Sequence, residues 1–226
     1  MGNVVAAALA FVGTHFLLSH PLRKPLVGAV GEKGFLGLYS LVAALTLGWL
    51  ALAYRAAPPA SPLWPVGDVL WAIGTVLMLA GAILFTGSLV RNPALPQADS
   101  RAVPEARGVF AITRHPMMWA FAIWGVVHIL VFPDPSNVVL ALAIIVLALV
   151  GAHLQDRKKE ALQPDFWSEW ERRTSYWPCA AVAAGRARIG KIGMHALAGG
   201  AVVWLAATWA HMPLAGWAAG IWRWIA

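Results

Sequence analysis

The run PSNVVLALAIIVLALVGAHLQ, Pro135–Gln155, holds 21 residues without one charged side chain. A helix rises 1.5 Å per residue, so a run of this length crosses a hydrocarbon slab of ~30 Å. Lipid offers no partner to backbone N–H and C=O groups, so the segment must bond internally as a helix. Five further runs lack charge in the same way: Gly2–Leu22, Gly34–Tyr54, Val69–Val90, His115–Pro133 and Ile192–Trp222. Each is long enough for the same crossing. A membrane barrel would show short alternating segments, and the sequence has none.

Composition agrees with the runs. Of 226 residues, 60% are hydrophobic and 12% charged, where a soluble domain carries about 25% charge. Mean hydropathy is +0.68. The expected fold is all-α: a single polytopic membrane domain over residues 1–226, with about six transmembrane helices.

The net charge of +7 has a use other than nucleic-acid binding. With the N-terminus outside and six crossings, three inner loops collect the cations. They are Arg23, Lys24 and Lys33; Arg91, Arg101, Arg107 and Arg114; then Arg157, Lys158, Lys159, Arg172, Arg173, Arg186, Arg188 and Lys191. Only Arg55 and Arg223 of the seventeen Lys and Arg fall outside. That asymmetry follows the positive-inside rule and sets both termini outside.

Breakers divide the runs. Pro21, Pro25, Gly28 and Gly31 predict a turn rather than helix over Pro21–Lys33. Pro58-Pro59-Ala60-Ser61-Pro62 marks an outer turn, and Asp68 and Asp134 mark outer span ends. The span-4 to span-5 link, Pro133-Asp134-Pro135, predicts an antiparallel pair. Inner-surface segments are expected at 91–114, with Pro93, Pro96 and Pro104, and at 156–191. In the latter, Leu162, Phe166 and Trp170 at i, i+4 and i+8 predict an amphipathic helix on the membrane surface. Pro213 is expected to end or kink the last helix, leaving Leu214–Trp224 as a Trp-rich outer segment.

The seven histidines form the informative polar set, because ionisable groups are costly within a bilayer. His20, His115, His153 and His195 fall near inner span ends, and His211 near an outer end. His15 and His128 lie deeper. Neutral imidazole on a membrane helix suits non-covalent haem. No HExxH, cysteine cluster or span carboxylate supports zinc. The lone Cys179 excludes a disulfide and covalent haem attachment. Spans free of charge argue against an ion-coupled transporter.

Thr113-Arg114-His115-Pro116-Met117-Met118-Trp119-Ala120, continuing to Ile123-Trp124-Gly125-Val126-Val127-His128, resembles the central motif of the NnrU family of bacterial membrane proteins. Thr14-His15, Gly37-Leu38-Tyr39-Ser40 and Arg173-Thr174-Ser175-Tyr176-Trp177-Pro178 extend the resemblance over nearly the whole chain. The family includes relatives of plant 15-cis-ζ-carotene isomerase, a haem b membrane enzyme. The resemblance therefore implies haem b with His15 and His128 as its axial, iron-binding ligands. His115 becomes a pocket or alternative ligand, and Arg114 a partner for the haem propionates. It also implies a bacterial inner membrane, and either redox-linked isomerisation of a lipophilic polyene or an accessory role in denitrification. Straight helices would separate His15 and His128 by about 12 Å in depth, whereas two axial nitrogens stand about 4 Å apart. On depth, His15 pairs with His115 or His153, and His128 with His211, so the ligand pair and the number of haems stay open.

Gly108–Trp119, followed by Glu160, Phe166-Trp167, Trp170 and Pro178, is also similar to membrane methyltransferases of the isoprenylcysteine carboxyl methyltransferase type. That resemblance implies S-adenosylmethionine as the alternative cofactor. The match is partial, because Asp165-Phe166-Trp167 and Ser168-Glu169-Trp170 replace the usual downstream Gly-Glu-Tyr.

Overall fold

The computed structural model describes residues 1–95 and 103–226; Pro96 and Arg101 lie outside the described residues. Among those described, every regular element is a helix. Five are long and apolar enough to cross a membrane: α1 (Gly2–Ser19), α2 (Arg23–Arg55), α3 (Asp68–Gly87), α6 (Pro135–Leu162) and α9 (Met194–Ala215). Two short helices, α4 (Val109–Ile112) and α8 (Ala180–Ala183), flank the inner segments. The remaining apolar helix, α5 (Pro116–Val131), has 16 residues, about 24 Å of rise. It packs between α3 and α6, so the bundle is five long helices and one short one.

Contacts run α2 to α1, α1 to α6, α6 to α5, α5 to α3, and α3 to α9. Helices in lipid gain little from apolar burial against one another, so close packing by small residues holds them. Ala7, Ala8 and Ala143 sit at the α1–α6 side with Val4, Phe11 and Leu50. On the other side, Leu84, Val109, Ala120 and Ala196 form a second cluster. The large aliphatics left outside, such as Leu9, Leu45, Leu52, Val69 and Val76, face where lipid would be.

The segment after α1 departs from expectation. Pro21–Lys33 was expected to turn, yet α2 begins at Arg23 and breaks only at Gly31, where φ is 73° and ψ 170°. Pro25 falls in the first helical turn, where a missing N–H costs nothing. The positive φ at Gly31 is a conformation that a Cβ would oppose. A short helical arm thus precedes the long span.

The inner amphipathic helix also differs. α6 runs on to Leu162, and Pro164 starts a separate helix, α7 (Pro164–Arg173). Leu162 is 67% exposed and belongs to α6, while Phe166, Trp167 and Trp170 are buried. They pack on Ala94, Val103, Ala106 and Phe110. The apolar face is covered by these residues of the same chain rather than by a membrane surface.

The outer side is tied by specific bonds. The Asp134 carboxylate caps α6, accepting from the Ser136 backbone N–H at 2.8 Å. Leu63 N–H donates to the Pro133 carbonyl at 2.9 Å. Pro213 is accommodated in the last turn of α9, which ends at left-handed Gly216. The chain then folds back through α10 (Trp222–Ile225). Trp222 Nε1 donates to the Leu205 carbonyl at 3.2 Å, and Arg223 pairs with Asp68 at 3.0 Å, linking the tail to α9 and α3.

Gly200 makes the tightest approach to a neighbouring backbone. A Cβ there would lie 2.7–2.9 Å from Ile83, two of the three contacts being backbone atoms. Gly200→Ala is expected to destabilise the detergent-solubilised protein by about 1–3 kcal/mol. Gly13, with open space around it, is the matched control: Gly13→Ala should be neutral or gain up to about 1 kcal/mol. Thermal unfolding of both variants checks the contrast.

Candidate functional site

The two motif stretches lie side by side. Arg114 N–H donates to the Ser175 carbonyl at 2.8 Å, and Cys179 N–H to Ile112 at 2.7 Å. Thr113 Oγ1 and Trp119 Nε1 both donate to the Tyr176 carbonyl, at 2.7 and 2.9 Å. Pro116 at the first turn of α5 restricts His115 to a non-helical conformation, as expected before proline. The turn thereby aims Arg114 and His115 at the inner end of α6.

Asp156 meets them there. Its carboxylate accepts from His115 Nε2 at 2.6 Å and from Arg114 Nε at 2.8 Å, and Arg114 Nη2 forms an ion pair with it at 2.7 Å. Arg114 Nη2 also pairs with Glu171 on α7 at 2.8 Å. Burial pushes the Glu171 carboxyl above its ordinary value, and the Arg114 charge opposes this. Tyr176 Oη donates to the Leu149 carbonyl at 2.6 Å, beneath the Arg114 guanidinium at 5.9 Å from the ring centre. The His115 side chain is 1% exposed. Neither Arg114 nor His115 is among the lining residues of the two cavities that flank α5. Sequence reasoning missed Asp156; its only signal was its place as the first acid after the 21-residue uncharged run.

Two cavities flank α5. The inner one, about 730 Å³, lies among α1, α2 and α6 and contains His15 and His20. The outer one, about 580 Å³, lies among α3, α5 and α9 and contains His128 and His211. Phe121 borders both. The structure therefore places His15 and His128 in different cavities. It brings His128 and His211 together, with ring centres 6.2 Å apart. His153 and His195 line neither cavity.

Three of these histidines share one device. Nδ1 lies 2.7 Å from the Phe11 carbonyl in His15, 2.8 Å from Trp124 in His128 and 2.8 Å from Ala207 in His211. A carbonyl only accepts, so each Nδ1 carries the proton and donates. In a neutral ring this leaves the Nε2 lone pair unprotonated, the arrangement metal-bound imidazoles use. His128 also stacks on Trp124 at 4.0 Å. Among the described residues no three His, Cys, Asp or Glu side chains converge to hold a bare metal ion.

The residues fit a haem at the outer cavity. Two nitrogens on one iron stand about 4 Å apart, and the two ring radii bring the centres to about 6 Å. The observed 6.2 Å matches that spacing. The walls are apolar, with a few polar groups, and the volume falls within the usual ~300–1,000 Å³ of cofactor sites. Trp204, on the same wall, has a buried Nε1–H without a partner among the described residues, a donor available to a bound group.

The methyltransferase resemblance rests on Gly108–Trp119 and the later Glu160. Here Arg114 and His115 are committed to Asp156 and Glu171, and Glu160 pairs with Arg157 at 3.3 Å.

Fold and site define a polytopic helical membrane protein with two histidine-bearing cavities. Its residues 3–219 match the family model described as NnrU protein. The chain belongs to the NnrU family. Comparison with curated proteins and with solved structures gave no match.

Asp156→Asn would leave buried His115 and Arg114 without their shared anion. The expected loss is about 3–5 kcal/mol, read as a fall in unfolding temperature. Exposed Glu160→Gln, removing a surface pair, should change stability by less than about 1 kcal/mol.

Proposed function

We propose that this NnrU-family protein binds haem b in the outer cavity, where His128 and His211 would hold its iron. The observation that carries the reading is the 6.2 Å ring separation, between two imidazoles whose Nδ1 protons are already committed. Asn137 supports the site: its Nδ2 donates to the His128 and Phe132 carbonyls at 2.9 and 2.7 Å, satisfying the end of α5 and fixing the ring's backbone. The iron would supply a one-electron couple tuned by its axial imidazoles and by burial. The chain would bind the group, exclude water with aromatic walls and hold both rings through their Nδ1 hydrogen bonds.

The family's kinship with 15-cis-ζ-carotene isomerase extends this to redox-linked isomerisation of a lipophilic polyene, which could enter such a cavity from the bilayer. The family's association with denitrification offers an accessory role for the same haem. Both termini are proposed to lie outside a bacterial inner membrane. His20, Arg23 and Lys158 border one cavity, and Arg223 with Asp68 closes the other side of the bundle, in keeping with the cation asymmetry.

Absorption and electron paramagnetic resonance spectra of protein purified with haem supplied test the ligand pair. The full chain should show a Soret band and a low-spin signal. His128→Ala and His211→Ala should each abolish the low-spin signal, and His15→Ala should retain it. A full chain without Soret absorbance sinks the haem reading. Loss only in His15→Ala moves the haem to the other cavity.

A further inference from the structure

The inner cavity has no part in the haem reading, and its chemistry is different. One end is cationic. Arg23, Lys158 and Lys159 border it, with Glu32 the one acid among its lining residues. Arg23 is held by Glu32 at 2.5 Å and lies 5.3 Å above the Phe35 ring. Lys159 Nζ donates to the Pro93 and Leu95 carbonyls, each at 3.3 Å, which occupies two of its three hydrogens without neutralising its charge. Lys158 makes no ion pair among the described residues. Burial and then the Lys158 charge push the His20 imidazole, beyond the end of α1, below its ordinary value.

The other end is apolar, walled by Phe11, Phe16, Phe121, Ile144 and Leu147. His15 lies on this wall with the Tyr39 ring edge-on at 5.5 Å. Three fixed cations against one carboxylate leave an excess of positive charge at the mouth of an apolar chamber. A neutral hydrocarbon would leave that charge uncompensated, and a free inorganic anion would leave the chamber unfilled. One molecule with an anionic head and an apolar tail answers both, gaining charge-assisted hydrogen bonds and apolar burial together.

We propose that the inner cavity binds a single amphiphile with an acidic headgroup, a carboxylate or a phosphate, held at Arg23 and Lys158 with its tail along Phe16 and Leu147. The head would compete with Glu32 for Arg23. Because Arg23 sits on the short arm before Gly31 (φ 73°), the arm and the α6 end would be bridged by the ligand. The binding is independent of whether haem occupies the other cavity.

Native mass spectrometry of the full chain, delipidated in a neutral detergent, tests this with three probes: stearate, dioleoyl phosphatidic acid and stearyl alcohol. At least one acidic probe should bind one per chain, with stearyl alcohol tenfold weaker or worse. Stearate alone binding points to a free fatty acid, phosphatidic acid alone to a membrane phospholipid, and both to the shared headgroup chemistry; each supports the site. Lys158→Glu should weaken the acidic probe at least tenfold. Gly151→Leu should do the same without altering charge. A Cβ at Gly151 meets only Phe16 Cε1 at 3.9 Å, so a larger side chain can enter the chamber. Unfolding temperatures near that of the unchanged protein separate loss of the site from loss of the fold. The proposal is overturned if neither acidic probe binds one per chain, if stearyl alcohol binds equally well, or if both folded variants bind like the unchanged chain.

Discussion

One carboxylate, Asp156, decides how the inner half of the bundle is assembled. Burying a charge is costly unless its partners are fully arranged, and a buried ion pair is stabilising only when the geometry is good. Asp156 meets that condition with two donated hydrogen bonds and a close ion-pair contact from two consecutive side chains. Those side chains stand at the turn opening α5, and their carboxylate stands at the inner end of α6. Through Glu171 the network reaches α7, and through Ser175 and Tyr176 it reaches the following loop. The start of α5 is therefore fixed to three other segments at once. With that end pinned, α5 forms the partition between the two cavities, and Phe121 borders both.

Much of this was legible in the sequence, and the boundary of legibility is physical. Spans could be read because lipid forces long uncharged runs into helices, and Asp134 could be read as a span end because N-caps have few alternatives. The antiparallel pairing of α5 and α6 follows from a short link. Depth along a helix was readable too, and it pairs His128 with His211. Rotation about the helix axis was not, so nothing foretold that His115 would turn into a carboxylate while His15 turned into a chamber. The arm at Arg23–Val30 was hidden because proline and glycine both signal turns, although proline in a first helical turn is harmless. Phe166, Trp167 and Trp170 have the periodicity of a membrane-surface helix, but periodicity does not say what covers an apolar face.

The histidine pattern has a more general cause. Within a span, an imidazole N–H has few acceptors besides the carbonyl one turn back on its own helix. His15, His128 and His211 all make that bond. The bond sets which nitrogen of a neutral ring carries the proton and leaves the other nitrogen available to whatever lies beside the helix. The same device therefore stands at both cavities, and their surroundings make them different. At the outer cavity a second imidazole of the same tautomer stands 6.2 Å away among aromatic rings, a symmetric donor pair suited to a flat metallated ring. At the inner cavity the neighbour is a tyrosine ring, and the nearest charges are cations at the helix ends. An iron and an anionic amphiphile are the respective ligands proposed for those settings. The partition that Asp156 holds in place is what keeps the two apart.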